Sequence, residues 1–201
     1  MAYELTAGDL GLDFVNTLEV HDGPVREDVL TSWRELVDWA LKAGLTTTEV
    51  AEGLHALETK NPRAANAVLR RALRLRDCLY RLVIALLDGR QPAADDLRLF
   101  NEFLAETQAT LVLRTTPGGL ALDLPVSPGR PQSVLGPVVM AAARLLTSPE
   151  TLALVRRCDM DTCRQFFVDR SKNHSRRWCD MKLCGNRAKA REYYRQHRGR
   201  G

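Results

Sequence analysis

Residues 156–201 read RRCDMDTCRQFFVDRSKNHSRRWCDMKLCGNRAKAREYYRQHRGRG and contain four of the five cysteines of the chain. The cysteines form two pairs of equal spacing, Cys158-x4-Cys163 and Cys179-x4-Cys184, with fifteen residues between the pairs. Two such turns, brought together by the segment between them, supply the four thiolates of a tetrahedral zinc site. Disulfides and free thiols are the alternatives, and the lack of a secretory signal and the few cysteines elsewhere disfavour disulfides. The spacing therefore predicts one zinc ion.

The charge of the chain is divided unevenly between its two parts. Residues 156–201 carry 14 Lys and Arg against 5 Asp and Glu, a formal +9, whereas residues 1–155 carry 15 against 20, a formal −5. Four thiolates around a zinc ion would lower the charge of the basic part to about +7. A basic module attached to an acidic one indicates an anionic partner, of which nucleic acid is the commonest. The alternative is a basic tail that serves only solubility.

The residues after the fourth cysteine predict a helix. Residues 188–198 are mostly good helix formers and include neither proline nor glycine. At helical spacing the arginines form one stripe, which consists of Arg187, Arg191, Arg195 and Arg198. A second face, expected to pack on the zinc module, consists of Ala190, Tyr193, Tyr194 and His197. Because a planar guanidinium can bond two phosphate oxygens at once, the arginine stripe is a candidate nucleic-acid contact.

Between the cysteine pairs the sequence predicts two short strands. Residues 165–170 (QFFVDR) and 175–178 (SRRW) flank a polar turn at residues 171–174 (SKNH), which is typical of a β-hairpin. The module would then consist of a metal knuckle, a hairpin, a second pair of ligands and a helix. This order resembles treble-clef zinc folds.

The pattern C-x4-C, F-x-D-x-S, RRWC-x4-CGNR resembles the CGNR zinc-finger family of bacteria, whose name motif stands at residues 184–187. The segment LDFVNTL at residues 12–18 is similar to the opening of the ABATE domain that accompanies these fingers. Together the two resemblances cover nearly the whole chain. They imply a bacterial, stress-induced transcription regulator, with DNA binding inferred from the finger.

Residues 1–147 are predicted to form a helical domain with one β-hairpin, and residues 148–201 the zinc finger, so that the fold class is mainly α. Apolar residues at helical spacing predict helices at residues 7–20, 33–43, 46–57, 62–87, 97–107, 133–146 and 151–155. Ser32 with Glu35, and Asn61 with Pro62, are typical helix starts. The hairpin strands, residues 110–114 and 120–124, flank a turn with the sequence TTPGG.

Length and composition are those of an ordinary globular protein. A chain of 201 residues can bury a genuine core in one or two domains. Its 45% hydrophobic and 27% charged residues exclude a disordered chain, and no apolar run approaches the ~20 residues of a membrane span. The lack of a secretory signal predicts a cytoplasmic location.

Asn16 and Cys78 are the candidate site residues of the helical part. Asn16 lies beside an apolar stripe and either contacts a ligand or is hydrogen-bonded internally, and the internal role is favoured because buried amides are normally satisfied within the protein. Cys78 is expected to be a small packed residue. The chain contains no HExxH, no GxSxG and no phosphate-binding glycine loop. No catalytic residue is predicted, and the protein is not expected to be an enzyme.

We therefore expect a transcription regulator that binds duplex DNA through the finger. Zinc would be structural, because four cysteine ligands leave no open coordination position. The predicted nucleic-acid contacts are Arg170, Arg176, Arg177, Arg187, Lys189, Arg191 and Arg195. The helical domain would sense a small-molecule effector or mediate homodimerisation. The alternative is a protein-interaction adaptor stabilised by zinc, or an RNA-binding protein with bases stacked on Phe166, Phe167 or Trp178.

Overall fold

The computed structural model of the protein describes residues 5–18 and 28–197. Its α-helices are α1 (Leu10–Val15), α2 (Trp33–Lys42), α3 (Thr48–Lys60), α4 (Pro62–Leu87), α5 (Ala94–Gln108), α6 (Gly136–Leu146), α7 (Pro149–Leu152) and α8 (Asn186–His197). Its strands are β1 (Val112–Thr116), β2 (Gly119–Asp123), β3 (Val155–Arg157) and β4 (Phe166–Val168), which form two antiparallel pairs, β1 with β2 and β3 with β4. The predicted fold class, mainly helical with a hairpin and a small cysteine-rich end, is confirmed. Within this described part, no helix combines the length and the apolar character needed to cross a membrane.

Helices α2 and α4 begin where the sequence places their capping residues. The Ser32 hydroxyl accepts a hydrogen bond from the Glu35 amide at 3.2 Å, and the Glu35 carboxylate accepts one from the Ser32 amide at 2.9 Å. The Asn61 side chain accepts from the Ala64 amide at 3.1 Å, with Pro62 as the first residue of α4. These bonds satisfy amide groups that have no partner within the helix, so the helix starts are fixed locally.

The long helix α4 is the centre of the core. It contacts α1, α2, α3, α5 and α6. Its buried seam consists of Val68, Ala72, Leu75, Leu79 and Leu82. Trp33 and Trp39 are also buried, and the Trp39 ring centroid lies 5.2 Å from that of Phe14. The thiol of Cys78 donates to the Asp96 carbonyl at 3.3 Å, and burial raises the pKa of this thiol to about 11, as expected for a packed residue.

The predicted hairpin of the helical part forms as β1 and β2, with Leu113 opposite Leu122 and Thr115 opposite Leu120. Residues that pair across a hairpin point to the same face. Leu113, Leu120 and Leu122 therefore share one face, and they are 63%, 66% and 70% exposed. Among the described residues, the main contact of each strand is the other strand. The hairpin thus presents an uncovered apolar surface, named here the leucine face (Leu113, Leu120 and Leu122).

The second sheet joins the cysteine-rich end to the helical part. Val155 pairs with Val168, and Arg157 pairs with Phe166. Val155, Phe166 and Val168 belong to the same hydrophobic core as the helices. Phe167 belongs instead to a second cluster, named here the cysteine cluster, whose buried members are Cys158, Met160, Cys163, Phe167, Cys179 and Cys184. Because successive side chains of a strand point to opposite faces, β4 contributes side chains to both hydrophobic cores.

Asn16 fixes β4 to the end of α1. Its Nδ2 donates to the Phe166 carbonyl at 2.8 Å, and its Oδ1 accepts from the Phe166 amide at 2.9 Å. Beside this contact, the Val168 amide donates to the Ala7 carbonyl at 2.7 Å. Both ends of the Asn16 amide have protein partners, which supports the internal role over ligand contact.

Most element boundaries differ from the sequence prediction by one to three residues, and two differ because of tertiary contacts. α1 ends at Val15 because Asn16 leaves the helix to bind β4, whereas the prediction extended to residue 20, and residues 19 and 20 lie outside the described part. The helix predicted at residues 151–155 ends at Leu152, and Val155 begins β3, because pairing with β4 brings Val155 into the core. The domain division at residue 148 remains a prediction, and the helical core extends across it through β3 and β4.

We expect Asn16→Ala to destabilise the whole protein by about 3 kcal/mol, because it leaves the amide and the carbonyl of Phe166 without their partners. Urea unfolding monitored by circular dichroism would measure the change. Asn173→Ala is the matched control, since Asn173 is exposed, and it should change the free energy of unfolding by less than about 0.5 kcal/mol. Equal effects of the two substitutions would contradict the role given to Asn16.

Candidate metal centre

The four cysteines of the two predicted pairs converge on one point. The Sγ atoms of Cys158, Cys163, Cys179 and Cys184 all lie within 4.8 Å of one another, and all four residues are buried. The Sγ of Cys179 lies 3.5 Å from that of Cys163 and 3.7 Å from that of Cys184. A tetrahedral ion with Zn–S bonds of about 2.3 Å requires sulfur atoms about 3.8 Å apart. The donor set and its spacing therefore fit zinc, and no disulfide joins these cysteines.

The first pair of ligands lies in the turn that joins β3 to β4. The Cys158 amide donates to the Gln165 carbonyl at 2.8 Å, and the Cys163 amide donates to the Met160 carbonyl at 2.9 Å. Arg164 completes the turn with a φ of 55°, a left-handed conformation that reverses the chain toward β4. The knuckle is thus the connection of the β3–β4 hairpin, and both of its ligands face away from the solvent.

The second pair of ligands flanks the start of a helical turn, with Cys179 before the turn and Cys184 within it. The Asp180 carboxylate accepts from the Leu183 amide at 2.6 Å, and the Gly185 amide donates to the Asp180 carbonyl at 3.0 Å. This cap starts the π-helical turn Met181–Gly185, which contains Cys184 and continues directly into α8. The position of α8 is therefore set by the residue that supplies the fourth sulfur.

The close packing of the four thiols disfavours their joint ionisation when no cation is bound. The pKa of Cys179 is raised, first because its thiol hydrogen-bonds to Cys158 and Cys163, and then because it is buried. The pKa of Cys184 is raised chiefly by burial and further by the charge of Cys158. Several thiolates this close together repel one another in a poorly solvated site. A divalent ion reverses that preference, since coordination stabilises the thiolate form of each ligand.

Asp169 organises the loop that carries the chain from β4 to the second pair of ligands. Its side chain is fully buried, and its carboxylate accepts from the amides of Ser171 and Arg176, each at 2.9 Å. Hydrogen bonds from Ser171 are the main cause of its lowered pKa. The sequence singled out Asp169 only as the D of F-x-D-x-S, and its role as the acceptor that closes the loop becomes visible in the fold.

The strand predicted at residues 175–178 does not form. β4 is occupied by β3, and the 175–178 segment is held instead by Asp169 and by a bond from the Asp159 amide to the Arg177 carbonyl at 2.9 Å. The prediction paired β4 with the wrong segment, because it assigned Val155 to a helix. The hairpin of the finger therefore encloses the first cysteine pair and does not follow it.

Arg176 is directed inward. Its Nε donates to the Trp178 carbonyl at 2.9 Å, one of its Nη atoms donates to the Cys179 carbonyl, and its guanidinium lies 4.4 Å from the centroid of the Phe167 ring. These contacts tie the loop to the cysteine cluster. Of the seven predicted nucleic-acid contacts, Arg176 is therefore one whose guanidinium is engaged in contacts within the protein.

The face of α8 that meets the cysteine cluster also differs from the prediction. Ala188 packs against the cluster, and the Arg191 guanidinium approaches the Met160 sulfur at 3.3 Å. The face predicted to pack there is exposed, as shown by its members Ala190, Tyr193, Tyr194 and His197. Tyr193 stacks on His197 with ring centroids 4.1 Å apart, so these rings cover each other and leave the cluster to Ala188.

The remaining predicted contacts fall into two groups. Four lie exposed on α8, namely Arg187, Lys189, Arg191 and Arg195. Arg177 is exposed beside the first knuckle and is paired with Asp159 at 2.7 Å. Arg170 is exposed and lies next to Gly8 of the helical part. Arg198, which was predicted only as a member of the arginine stripe, lies outside the described residues. Arg164, an exposed cation on the knuckle, was not predicted, although its position directly after Cys163 marks it.

We expect purified protein to contain one zinc ion per chain and Cys163→Ser to contain close to none, because a structural site loses its geometry with one thiolate. Metal analysis by mass spectrometry would measure the number of zinc ions per chain. Thermal unfolding should show that the helical core of Cys163→Ser melts at a lower temperature, because β4 belongs to both hydrophobic cores. Cys78→Ser is the matched control and should retain the ion. A Cys163→Ser protein with a full complement of zinc would contradict the assignment of the site.

Comparison with known families agrees with this geometry. The family described as "Putative stress-induced transcription regulator", ABATE, matches residues 8–149, and the CGNR zinc finger matches residues 155–197. These are regulator and zinc-finger families and not enzyme families. No curated protein matches the chain. The chain belongs to the ABATE family, and it ends in a CGNR zinc finger whose four clustered cysteines hold one structural zinc ion.

Proposed function

We propose that the protein is a cytoplasmic transcription regulator that binds duplex DNA through its zinc finger. The observation that carries the proposal is the exposed cationic surface of α8, named here the α8 cations (Arg187, Lys189, Arg191 and Arg195). The helix is fixed at its start by the ligand Cys184, so its cations are presented by a rigid support. Cations on a rigid helix can contact successive phosphates.

The charge of the finger supports an anionic partner. Residues 156–197 carry 12 Lys and Arg against 5 Asp and Glu, a formal +7, and the zinc site with its four thiolates lowers this to about +5. Arg187 has no acidic residue within its own turn of the helix, and Glu192 is the one acidic residue among residues 186–197. A surplus of this size attracts phosphates over the Debye length of about 8 Å at physiological salt.

The burial of two aromatic residues disfavours RNA binding by base stacking, one of the alternative functions. Phe166 and Phe167 are 1% and 0% exposed, so they are not available to stack on bases, and Trp178 is the partly exposed aromatic residue of the three. A zinc-stabilised protein-interaction adaptor remains the competing proposal, and it predicts no salt-dependent binding of nucleic acid. The cytoplasmic location is supported by the four zinc-ligating cysteines and the thiol of Cys78, because unoxidised cysteines persist in a reducing compartment.

For the helical part we propose homodimerisation, which the leucine face supports. A contiguous apolar patch on an otherwise polar surface is typical of a protein contact, and a dimer would let two fingers address two half-sites. An effector site is the alternative. It is supported by a cavity of about 340 Å3 that is lined by Arg71, Phe103, Leu135 and Gly136 among others, a volume at the lower end of small-molecule sites.

We expect the zinc-loaded full chain to bind duplex DNA with an affinity that falls steeply with salt. Arg187→Ala combined with Lys189→Ala should lower the slope of log affinity against log salt by about two, because each phosphate contact contributes about one. Fluorescence anisotropy with a labelled duplex would measure the slopes. The full chain is required, since truncation at residue 148 removes Val155, Phe166 and Val168 from the core.

Arg98→Ala is the control for this experiment. Arg98 is an exposed cation on α5, with a side chain that is 71% accessible, so its loss changes the net charge but not the α8 cations. Its salt slope should equal that of the unaltered protein. No binding to duplexes at low salt would rule out the proposed function, and equal slopes for all proteins would rule out the proposed contacts.

We expect Leu120→Lys with Leu122→Lys to convert a dimer into a monomer, because the substitutions place charges in an apolar contact. Sedimentation equilibrium would report the mass of each protein. Leu97→Lys is the control, since Leu97 is an exposed leucine (44%) on α5 and does not belong to the hairpin strands. A monomeric unaltered protein, or a dimer that survives both hairpin substitutions, would contradict dimerisation through the leucine face.

A further inference from the structure

A groove runs between the first knuckle and α8. Its volume is about 700 Å3, which lies within the range of sites that hold a small organic group. One wall comes from residues 159–161 and 177–178. The other comes from six residues of α8, namely Ala188, Lys189, Arg191, Glu192, Tyr193 and Arg195. The groove adjoins the α8 cations and is separate from the sulfur atoms, which are buried behind it.

The floor of the groove is apolar and includes an aromatic ring. Met160 is buried, and Trp178 and Ala188 are partly buried and pack against the cysteine cluster. All three residues line the groove. The other two tryptophans, Trp33 and Trp39, are 1% exposed in the helical core. Trp178 is therefore the tryptophan that lines the groove, and the exposed Arg177 guanidinium lies 5.2 Å from the centroid of its ring, where an entering base would meet or displace it.

The two edges of the groove are cationic. Counting 100° per residue along α8, Ala188 and Glu192 lie at the centre of the face toward the groove, with Arg191 and Arg195 on one side and Lys189 and Tyr193 on the other. Tyr193 is 59% exposed. A nucleic-acid strand that follows the groove would thus meet cations along its backbone and aromatic rings beside its bases.

Carboxylates inside the groove oppose a bare anion as its occupant. Asp159, Asp161 and Glu192 line it together with the cations, and two of them are paired, Asp159 with Arg177 and Glu192 with Arg195. A carboxylate repels a phosphate, but it accepts hydrogen bonds from the amino and imino groups of a base. The arrangement suits a base inside the groove and its phosphates at the edges.

We infer that this groove takes one unpaired nucleobase of a DNA strand, stacked against Trp178 and Tyr193, while the α8 cations hold the neighbouring phosphates. The inference rests on the proposed function and deepens it. It makes the finger a reader of extrahelical bases in addition to a phosphate-binding surface. A base inside a continuous duplex cannot enter, because its faces are covered by its neighbours.

The test compares three duplexes of one sequence: fully paired, with a single extra adenine, and with an abasic site in place of that adenine. The full zinc-loaded chain should bind the adenine bulge about tenfold more tightly than the paired duplex, since one stacked base contributes on that scale. The abasic bulge controls for flexibility and should bind like the paired duplex. Binding of the adenine bulge should also quench the Trp178 fluorescence.

Substitutions of aromatic residues in and beside the groove test where the base binds. Tyr193→Ala should reduce the preference for the adenine bulge severalfold while leaving binding of the paired duplex unchanged. Tyr194→Ala is the control, because Tyr194 is 66% exposed on the same helix and does not line the groove. Trp178→Phe should keep the preference and lose the quenching. Zinc content measured on each variant shows that the finger remains folded.

The outcomes separate the inference from the proposed function. Equal affinity for the adenine and abasic bulges, or a preference that survives Tyr193→Ala, would overturn the base-binding groove and leave the phosphate contacts standing. Binding of no duplex at low salt would overturn the proposed function and the inference together.

Discussion

Strand β4 is the constraint on which the two halves of the structure depend. Phe166 and Val168 are buried in the helical core, and Phe167, between them, is buried in the cysteine cluster. A strand can serve two cores because its side chains alternate between faces. Neither core is complete without β4, so the zinc finger does not pack independently of the helical part. The partner strand β3 and the Asn16 amide hold β4 in place from both sides.

Strand β4 therefore links the metal site to the helical core. The cysteine cluster has few large apolar side chains, Phe167 and Met160 among its buried members, and four thiols whose ionisation is mutually unfavourable. Zinc supplies the cohesion that a small apolar core cannot. On the side of the helical core, the Arg157 guanidinium of β3 donates to the Tyr80 hydroxyl of α4 at 2.9 Å. The ring of Tyr80 in turn lies 5.6 Å from that of Phe166. The β3–β4 pair therefore contacts α4 directly, through Arg157 and Phe166.

The same arrangement explains why α8 is free to present charge. A helix normally buries one apolar stripe, but α8 commits mainly Ala188 to the cluster, and its tyrosines remain exposed. Its anchor is the turn that ends in Cys184 and Gly185 rather than a broad packed face. Most of its surface is consequently available to a partner, which is the condition for both the proposed phosphate contacts and the groove beside them.

The sequence by itself determined the features whose causes are local. The cysteine spacing, the caps at Ser32 and Asn61, the β1–β2 hairpin and the cationic helix all follow from residues a few positions apart. Tertiary structure decided the rest. Asn16 meets Phe166 across 150 positions, β3 displaces the 175–178 segment as the partner of β4, and Arg176 turns inward. Periodicity shows that a face is apolar or charged, but which surface covers it depends on long-range packing that short patterns do not encode.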